Sequence, residues 1–400
     1  MQSVVIDKPY RFVAPSRSRL WPRAFQALLP WRLRWTYGIH ALEQSGAGRI
    51  AASLRAGCGV MLAPNHCRPC DGEVVHALCR SVPTQPFMMA SWHLFQASRL
   101  QAFVLRRSGA FSVYREGTDR AAVATAVDLL DEGARPVVVF PEGVQTRTNE
   151  RLNPMLEGAA FIARAAARAR ARRGATARVV VHPVALRYTF GGDIEAAVAP
   201  VLADIERRLS WTPQTHLALA PRLVKVAFAL LALKEIEYFD RPRDGTAAER
   251  IAGLVDGLLA PLEAEWLGGA RGPHVVARVK ALRAAVLRDM LAGELPEEER
   301  ARRWAQMARI YVAQAISLYP PRYVTESPTP DRILETVERL EEDLTDRCRR
   351  YAPMRVHVTV GEAIPVGVER GHGHDDDPLT ERIAEDLAAL LGLGRGAASA

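Results

Sequence analysis

The feature that most constrains the fold is an alternation of short apolar runs and helical patterns over residues 59–190. The runs that predict strands are 59–64, 85–90, 110–114, 136–140 and 178–188, and the patterns that predict helices are 71–80, 93–106, 118–132 and 155–172. Short apolar runs favour buried strands, whereas longer segments with one apolar face favour helices. Because strands that alternate with helices build parallel sheets, the sequence predicts an α/β fold with a mostly parallel sheet flanked by helices.

Polar residues follow two of these predicted strands. Asn65 and His66 come directly after the strand 59–64, Asp71 opens the next helix, and Glu142 lies just beyond the strand 136–140. The carboxyl ends of parallel strands share one edge of an open sheet, so distant residues can converge there. A histidine can take a proton from an alcohol, and a carboxylate beside its other ring nitrogen fixes the tautomer. His66 and Asp71 are therefore the predicted catalytic pair.

These residues belong to a longer series of motifs, and the chain resembles the glycerophospholipid acyltransferase family, whose best known members acylate lysophosphatidic acid. Four motifs of that family occur in its order, and they contain Asn65, His66 and Asp71, then Gly109, Phe111 and Arg115, then Phe140, Pro141, Glu142 and Gly143, and finally Pro183 and Val184. Any one motif would be a weak indication. Together, in this order and spacing, they are specific.

The resemblance implies transfer of a fatty acyl group from acyl-CoA or acyl carrier protein to the free hydroxyl of a lysophospholipid. The expected acceptor is 1-acyl-sn-glycerol-3-phosphate, the expected process is phospholipid biosynthesis, and no metal or cofactor is expected besides the thioester co-substrate. His66 and Asp71 would be catalytic. The expected substrate-binding residues are Asn65, Gly109, Phe111, Arg115, Phe140, Pro141, Glu142, Gly143 and Arg147.

Two departures from the family pattern leave the acceptor head group open. Residues 144–147 read Val-Gln-Thr-Arg where the family commonly has Thr-Arg-Ser, and a lysine often found before the following Gly-Ala has no counterpart before Gly158. Arg147 or Arg151 could supply that charge. The alternative acceptors are an amino-acid-based lysolipid or another alcohol. A non-catalytic lipid-binding relative is the alternative of a different class.

The resemblance also bears on the rest of the chain, where helical patterns replace the alternation after residue 190. We expect an N-terminal basic and aromatic helical segment at 1–50, the α/β core at 51–190, a large helical insertion at 191–352, a final strand and helix completing the core at 353–393, and a disordered tail at 394–400. In the family, a strand like 354–361 normally follows the fourth motif closely, which favours an insertion. An independent C-terminal domain is the rival interpretation.

The basic composition indicates acidic partners. The chain has 53 Lys and Arg against 45 Asp and Glu, a formal net charge of +8. A positive surface favours anionic lipid head groups, the phosphates of coenzyme A or an acidic carrier protein. Nucleic acid is not an expected partner, because no helix-turn-helix, zinc-finger or RNA-binding motif accompanies the charge.

The five cysteines do not form the pattern of a disulfide framework, and no signal peptide precedes them, so a reducing, cytoplasmic setting is expected. Cys67 and Cys70 form a lone CxxC beside His66, which suggests either a metal or redox site or simple spacers within the loop. We predict spacers. The tract 371–377, Gly-His-Gly-His-Asp-Asp-Asp, likewise predicts a solvated loop in which Asp377, or Thr380 beyond it, starts the last helix.

No apolar run has the length of about 20 residues that spans a bilayer. Residues 17–40 instead interleave tryptophans and leucines with arginines, a combination suited to lipid head groups. The same pattern is expected of a helix that packs on the core, and one helix could do both. The sequence thus predicts a peripheral protein on the inner face of the cell membrane, with anionic lipid as a partner.

Overall fold

A computed structural model describes residues 8, 10–117, 119–288, 290, 295–326, 328–347, 349–369 and 377–393 of the chain. Its internal contacts divide it into two compact units. The α/β unit consists of Tyr10–Thr189 and Ala352–Ala400, and the helical unit consists of Met1–Pro9 and Phe190–Tyr351. The predicted tail 394–400 and residues 371–376 of the histidine tract lie outside the described residues.

The α/β unit is built on an eight-stranded, mostly parallel sheet, which confirms the predicted fold class. The strands are β1 Ile39–Ser45, β2 Gly59–Pro64, β3 Phe87–Ser91, β4 Ala110–Val113, β5 Val137–Val138, β6 Val179–Phe190, β7 Met354–Val360 and β8 Ile364–Pro365. Their order is β1-β7-β6-β2-β5-β3-β4, with β8 paired antiparallel to β6. β2 and β6 are therefore central.

Helices cover the sheet and form the second unit. In chain order they are α1 Leu20–Tyr37, α2 Ala47–Arg55, α3 Asp71–Ser81, α4 His93–Gln96, α5 Arg99–Ser108, α6 Arg120–Glu132, α7 Gly158–Arg172, α8 Ile194–Arg208, α9 Leu219–Phe239, α10 Ala247–Leu267, α11 Val275–Leu287, α12 Glu297–Ser317, α13 Pro330–Thr345 and α14 Pro378–Leu391. The six from α8 to α13 belong to the helical unit. In the chain they lie between β6 and β7, within the segment 191–352 for which a helical insertion is expected.

Two local predictions are wrong. The segment 1–50 is not wholly helical, because β1 pairs in parallel with β7 and so lies within the sheet. That partner is more than 300 residues away, so no local pattern announced the pairing. The predicted helix 93–106 is two helices, because the hydroxyl of Ser98 accepts a hydrogen bond from the backbone N–H of Gln101 at 3.0 Å and starts α5 there.

Helices α6, α7 and α14 contribute to one apolar core with the sheet. Met61 of β2, Phe111 of β4 and Leu129 of α6 are among its fully buried side chains. Burial of a side chain of this size stabilises the fold by about 1.5–3 kcal/mol. Arg164 of α7 and Asp377, which starts α14 as predicted, form a two-point ion pair at 2.9 and 2.7 Å. This pair ties the last helix to the core.

The helical unit has its own core and its own buried charges. Leucines and valines of α10 and α11 pack with Ile310 of α12. Helix α10 begins with a capping box, in which Thr246 and Glu249 satisfy each other's backbone N–H groups. Glu206 and Arg222, 1% and 2% exposed at the side chain, form an ion pair at 2.8 Å. The unit therefore combines an apolar core with ion pairs removed from water.

Among the described residues, no helix combines the length and the hydropathy needed to cross a membrane.

Candidate active site

The site begins where β2 stops. All six residues of β2 are buried, and its last residue, Pro64, lies opposite Val184 of β6. The chain then leaves the sheet in a short loop, and Asp71 opens α3, where its negative charge is favourable for the helix dipole. His66 lies on this loop between the strand and the helix.

His66 and Asp71 are hydrogen-bonded. Nδ1 of the imidazole lies 2.8 Å from Oδ2 of the carboxylate. The side chain of Asp71 is fully buried, whereas that of His66 is 25% exposed. Because Nδ1 faces Asp71, Nε2 is the ring nitrogen that can take a proton from an alcohol. The pair has the geometry of a general base with an orienting carboxylate.

The carboxylate of Asp71 accepts further hydrogen bonds from uncharged groups, among them the thiol of Cys67, which lies 4.0 Å from Oδ1. Oδ2 also accepts the backbone N–H of Arg68 at 2.8 Å, and Oδ1 accepts the hydroxyl of Tyr188 at 2.6 Å. Burial, and then the nearby Asp71 charge, raise the pKa of Tyr188 well above its ordinary value. The phenol therefore remains protonated and donates. Uncharged groups therefore help to fix both oxygens of Asp71.

Glu142 holds the backbone of the catalytic loop. Its Oε1 accepts the N–H of His66 at 2.8 Å, and its Oε2 accepts the N–H of Asn153 at 3.0 Å. Burial raises the pKa of this carboxyl to about 7, although the two backbone hydrogen bonds act in the opposite direction. Glu142 is 1% exposed, so these contacts support the position of His66.

The residues on either side of Glu142 also contact the histidine. The ring of Phe140 stacks on the imidazole, with centroids 4.2 Å apart and an interplanar angle of 30°. The N–H and the hydroxyl of Thr146 both donate to the carbonyl of His66, at 2.8 and 3.1 Å. The segment 140–146 thus fixes both the ring and the backbone of His66.

The turn in this segment requires a glycine. The N–H of Gly143 donates to the carbonyl of Phe140 at 3.2 Å, and the N–H of Leu156 donates to the carbonyl of Pro141 at 2.8 Å. Gly143 has a φ of 66°, and a Cβ there would lie 2.4 Å from Cδ1 of Leu156. A side chain at this position would therefore distort the turn that carries Glu142.

Arg115 joins the same turn, since its guanidinium donates to the carbonyl of Gly143 at 2.7 Å. Arg147 directly follows Thr146, is partly exposed and has a φ of 64°. The other two residues of the second motif have packing roles: Gly109 ends α5 with a φ of 102°, and Phe111 is fully buried in the core. Gly109 thus shapes the end of a helix, and Phe111 packs in the core.

Two asparagine side chains take the place of a strand beside β6, which extends six residues past Val184. The amide of Asn65 accepts the N–H of Leu186 at 2.7 Å and donates to its carbonyl at 3.0 Å. The amide of Asn149 does the same with Tyr188, at 2.9 and 2.6 Å. Asn65 is 1% exposed, so these contacts give it a structural role at the edge of the site.

Sequence reasoning missed three residues of this site, namely Thr146, Asn149 and Tyr188. Tyr188 falls in a predicted strand, and Asn149 in a segment with no periodic pattern. Neither has a fixed spacing from Asp71 that could reveal the contact. The one available indication was the cluster of polar residues in 145–149, directly after the turn.

Cys67 and Cys70 pack inside this polar cluster. Both are buried, and the four described cysteines carry free thiols. The thiol of Cys70 lies 3.5 Å from the hydroxyl of Tyr188, and burial raises the pKa of this thiol to about 12. Within the described part of the chain, no three His, Cys, Asp or Glu side chains are grouped so that they could hold a metal ion.

Helix α1 packs one face on the α/β unit and exposes the other. Gln26, Leu29 and Leu33 are buried. The exposed large apolar side chains on this helix and on α5 are Leu20, Trp21, Leu28, Trp31, Trp35, Leu100, Phe103 and Val104, which we call the aromatic face. Trp21 and Phe103 meet edge to face at 5.4 Å, and the guanidinium of Arg107 lies over both rings. The two helices therefore present one surface.

Comparison with protein families matches residues 49–187 to the family described as Acyltransferase. The matched span contains His66, Asp71, Arg115 and Glu142, as well as Pro183 at the end of the fourth motif. The chain matches no curated protein.

Proposed function

We propose that this chain, in which residues 49–187 match the acyltransferase family, acylates a lysophospholipid. The acyl donor would be acyl-CoA or acyl carrier protein. The acceptor would be 1-acyl-sn-glycerol-3-phosphate, and the reaction a step of phospholipid biosynthesis. The observation that carries the proposal is the buried Asp71 bonded to a partly exposed His66.

In the proposed mechanism, Nε2 of His66 removes the proton from the acceptor hydroxyl as its oxygen attacks the thioester carbonyl. Asp71 stabilises the imidazolium that forms. When the tetrahedral intermediate collapses, the C–S bond breaks and the imidazolium returns the proton to the thiolate that leaves. The products are an ester and a free thiol, and no covalent enzyme intermediate is required.

We propose that Arg115 binds the phosphate of the acceptor. A guanidinium matches phosphate oxygens in paired geometry. Its hydrogen bond to Gly143 links Arg115, through the adjacent Glu142, to the backbone of His66. Phe140, which stacks on the imidazole, would line the same cleft. The alternative acceptor is an amino-acid-based lysolipid or another alcohol, because residues 144–147 depart from the family pattern and Thr146 among them contacts the His66 loop.

The deciding experiment measures thiol release from one labelled acyl-CoA in the presence of a panel of lysolipids, with His66→Ala as the matched control. Release that requires lysophosphatidic acid, and that falls roughly 10²- to 10⁴-fold in His66→Ala, is the expected result. Thiol release only with an amino-acid-based lysolipid would show that this lipid, and not lysophosphatidic acid, is the acceptor. Lipid binding without thiol release for any member of the panel, with acyl-CoA or acyl carrier protein as donor, would indicate the non-catalytic alternative.

We further propose that the aromatic face rests on anionic lipid at the inner face of the cell membrane. Tryptophans and arginines together suit the head-group region. Removal of Trp31 and Trp35 by Ala substitution should weaken binding to phosphatidylglycerol vesicles at least about tenfold, since burying one large apolar side chain contributes about 1.5–3 kcal/mol. Phe161→Ala, an exposed aromatic on α7, is the control. Equal binding by all three proteins would refute the proposal.

A further inference from the structure

We propose that Tyr188 is a positioning residue of the reaction, whose hydroxyl holds the carboxylate of Asp71 so that Asp71 can hold His66. This inference rests on the acyl transfer proposed above. Tyr188 lies 117 residues after Asp71 and comes from a different element, the far end of β6. It does not reach the reacting atoms through any contact of its own in the described structure, and it acts through Asp71.

The two oxygens of Asp71 face different partners. Oδ2 faces Nδ1 of His66 at 2.8 Å and the N–H of Arg68 at 2.8 Å. Oδ1 faces the hydroxyl of Tyr188 at 2.6 Å. A carboxylate that is bonded at both oxygens cannot turn about its Cβ–Cγ bond without losing a hydrogen bond. The tyrosine therefore helps to keep Oδ2 on the imidazole.

The backbone and the ring of Tyr188 are themselves held in place. The side-chain amide of Asn149 bonds both its N–H and its carbonyl, at 2.9 and 2.6 Å. The guanidinium of Arg68 lies 5.4 Å from the centroid of its ring. The residue is 1% exposed. A side chain locked in this way loses little conformational entropy when its hydroxyl bonds Asp71, so the hydrogen bond is pre-organised.

The hydroxyl of Tyr188 donates to Asp71 without carrying a charge. A phenol with a raised pKa stays neutral, so it fixes the carboxylate without cancelling its negative charge. That charge remains available to the imidazolium that forms during proton transfer. An arginine at the same place would also hold Asp71, but it would offset part of the charge that stabilises His66.

The test is Tyr188→Phe, which removes one oxygen atom and keeps the ring. We expect kcat to fall about tenfold, the effect of losing one hydrogen bond that orients a catalytic group. The KM for the acceptor should stay unchanged, because Tyr188 does not contact it. Tyr323→Phe is the matched control, since its hydroxyl is also buried and also donates to a carboxylate, Glu335, at 2.6 Å. Its kcat should equal that of the wild type.

A double-mutant cycle with Asp71→Asn separates positioning from a general loss of structure. If Tyr188 acts through Asp71, Tyr188→Phe should cause no further loss of kcat in the Asp71→Asn background. Losses that multiply, a change confined to KM, or wild-type kcat in Tyr188→Phe would each overturn the proposal. If Tyr188→Phe does not fold, Asn149→Ser, which loosens the backbone of Tyr188, should lower kcat without changing KM, and an unchanged kcat would overturn it.

A measurement that needs no turnover distinguishes failure of this inference from failure of the proposed function. The proton on Nδ1 of His66 should give a downfield NMR resonance while it is bonded to Asp71. This resonance should move in Tyr188→Phe and stay in place in Tyr323→Phe. An unmoved resonance would overturn the role of Tyr188 even in an active enzyme. A shifted resonance in a protein that transfers no acyl group would overturn the function and leave the contact intact.

Discussion

Two buried regions of this protein, the site in the α/β unit and the Glu206 ion pair in the helical unit, hold carboxylates in opposite ways. In the α/β unit, the site carboxylates Asp71 and Glu142 are held by backbone N–H groups, a phenol and an imidazole. In the helical unit, Glu206 is held chiefly by the guanidinium of Arg222, at 3.2 and 2.8 Å. Neutral donors leave the negative charge of an ionised carboxylate uncompensated, whereas an arginine compensates it and keeps the carboxylate ionised. The first arrangement suits chemistry and the second suits stability.

The difference in bonding partners shifts the pKa values of two buried glutamates, Glu142 and Glu206, in opposite directions. Burial raises the pKa of Glu142 to about 7. Burial also acts to raise the pKa of Glu206, but the hydrogen bonds from Arg222 and the backbone of Gln214 outweigh it, and the pKa is lowered. The contrast belongs to the site rather than to its whole unit, since Asp377 of the α/β unit is paired with an arginine.

The largest expected effect concerns the charge of Asp71. Asp71→Asn keeps the shape of the side chain and removes its charge, so we expect kcat to fall roughly 10²- to 10⁴-fold while the KM for the acceptor changes little. Steady-state kinetics with varied acceptor measure both. Asp343→Asn is the control, because Asp343 accepts a tyrosine hydroxyl, that of Tyr319, at 2.5 Å in the helical unit. A change in KM alone would contradict the dyad.

The next largest effect is expected from breaking the ion pair of Glu206 and Arg222, which should change stability alone. Glu206→Gln leaves Arg222 buried without its counter-ion, which costs about 3–5 kcal/mol in such pairs. Denaturant unfolding should show the loss, while kcat per folded molecule stays the same. Replacing Glu206 by Leu and Arg222 by Met together should recover most of the stability. If kcat fell with stability in Glu206→Gln, the division between chemistry and stability would be wrong.

The smallest expected effect is the pH dependence of stability, which should have opposite signs for Glu142 and Glu206. The pKa of Glu142 is raised from 4.5 to about 7, so its contribution favours folding at low pH and is lost as pH rises from about 4.5 to about 7. The lost contribution is roughly 3 kcal/mol. The pKa of Glu206 is lowered, so its contribution is present above the ordinary value and is lost as pH falls below it.

Unfolding free energies of the wild type, Glu142→Gln and Glu206→Gln across this pH range test both signs. The stability of the wild type relative to Glu142→Gln should fall as pH rises towards neutral, and its stability relative to Glu206→Gln should fall as pH drops towards acid. Two differences that change in the same direction would show that the partners do not determine how these carboxyls titrate.

Much of the fold could be predicted because its main elements have local patterns. The apolar run of β2 has the predicted bounds, and α3 begins at Asp71 as predicted. β1 was missed because its pairing with β7 depends on residues more than 300 positions away. Within the site, the motifs pointed to His66 and Asp71, but not to Tyr188. A hydrogen bond between a loop and a distant strand leaves no periodicity in the sequence.

Because asparagine side chains bond β6 near its end, the backbone N–H groups of Leu186 and Tyr188 can report the opening of the loops at the site. In a sheet, an N–H held by a neighbouring strand exchanges with solvent when that part of the sheet opens. The N–H groups of Leu186 and Tyr188 are held instead by Asn65 and Asn149, which lie on the two loops that carry His66 and the turn of Glu142. Their deuterium uptake should therefore time the opening of these loops while the central strands remain protected.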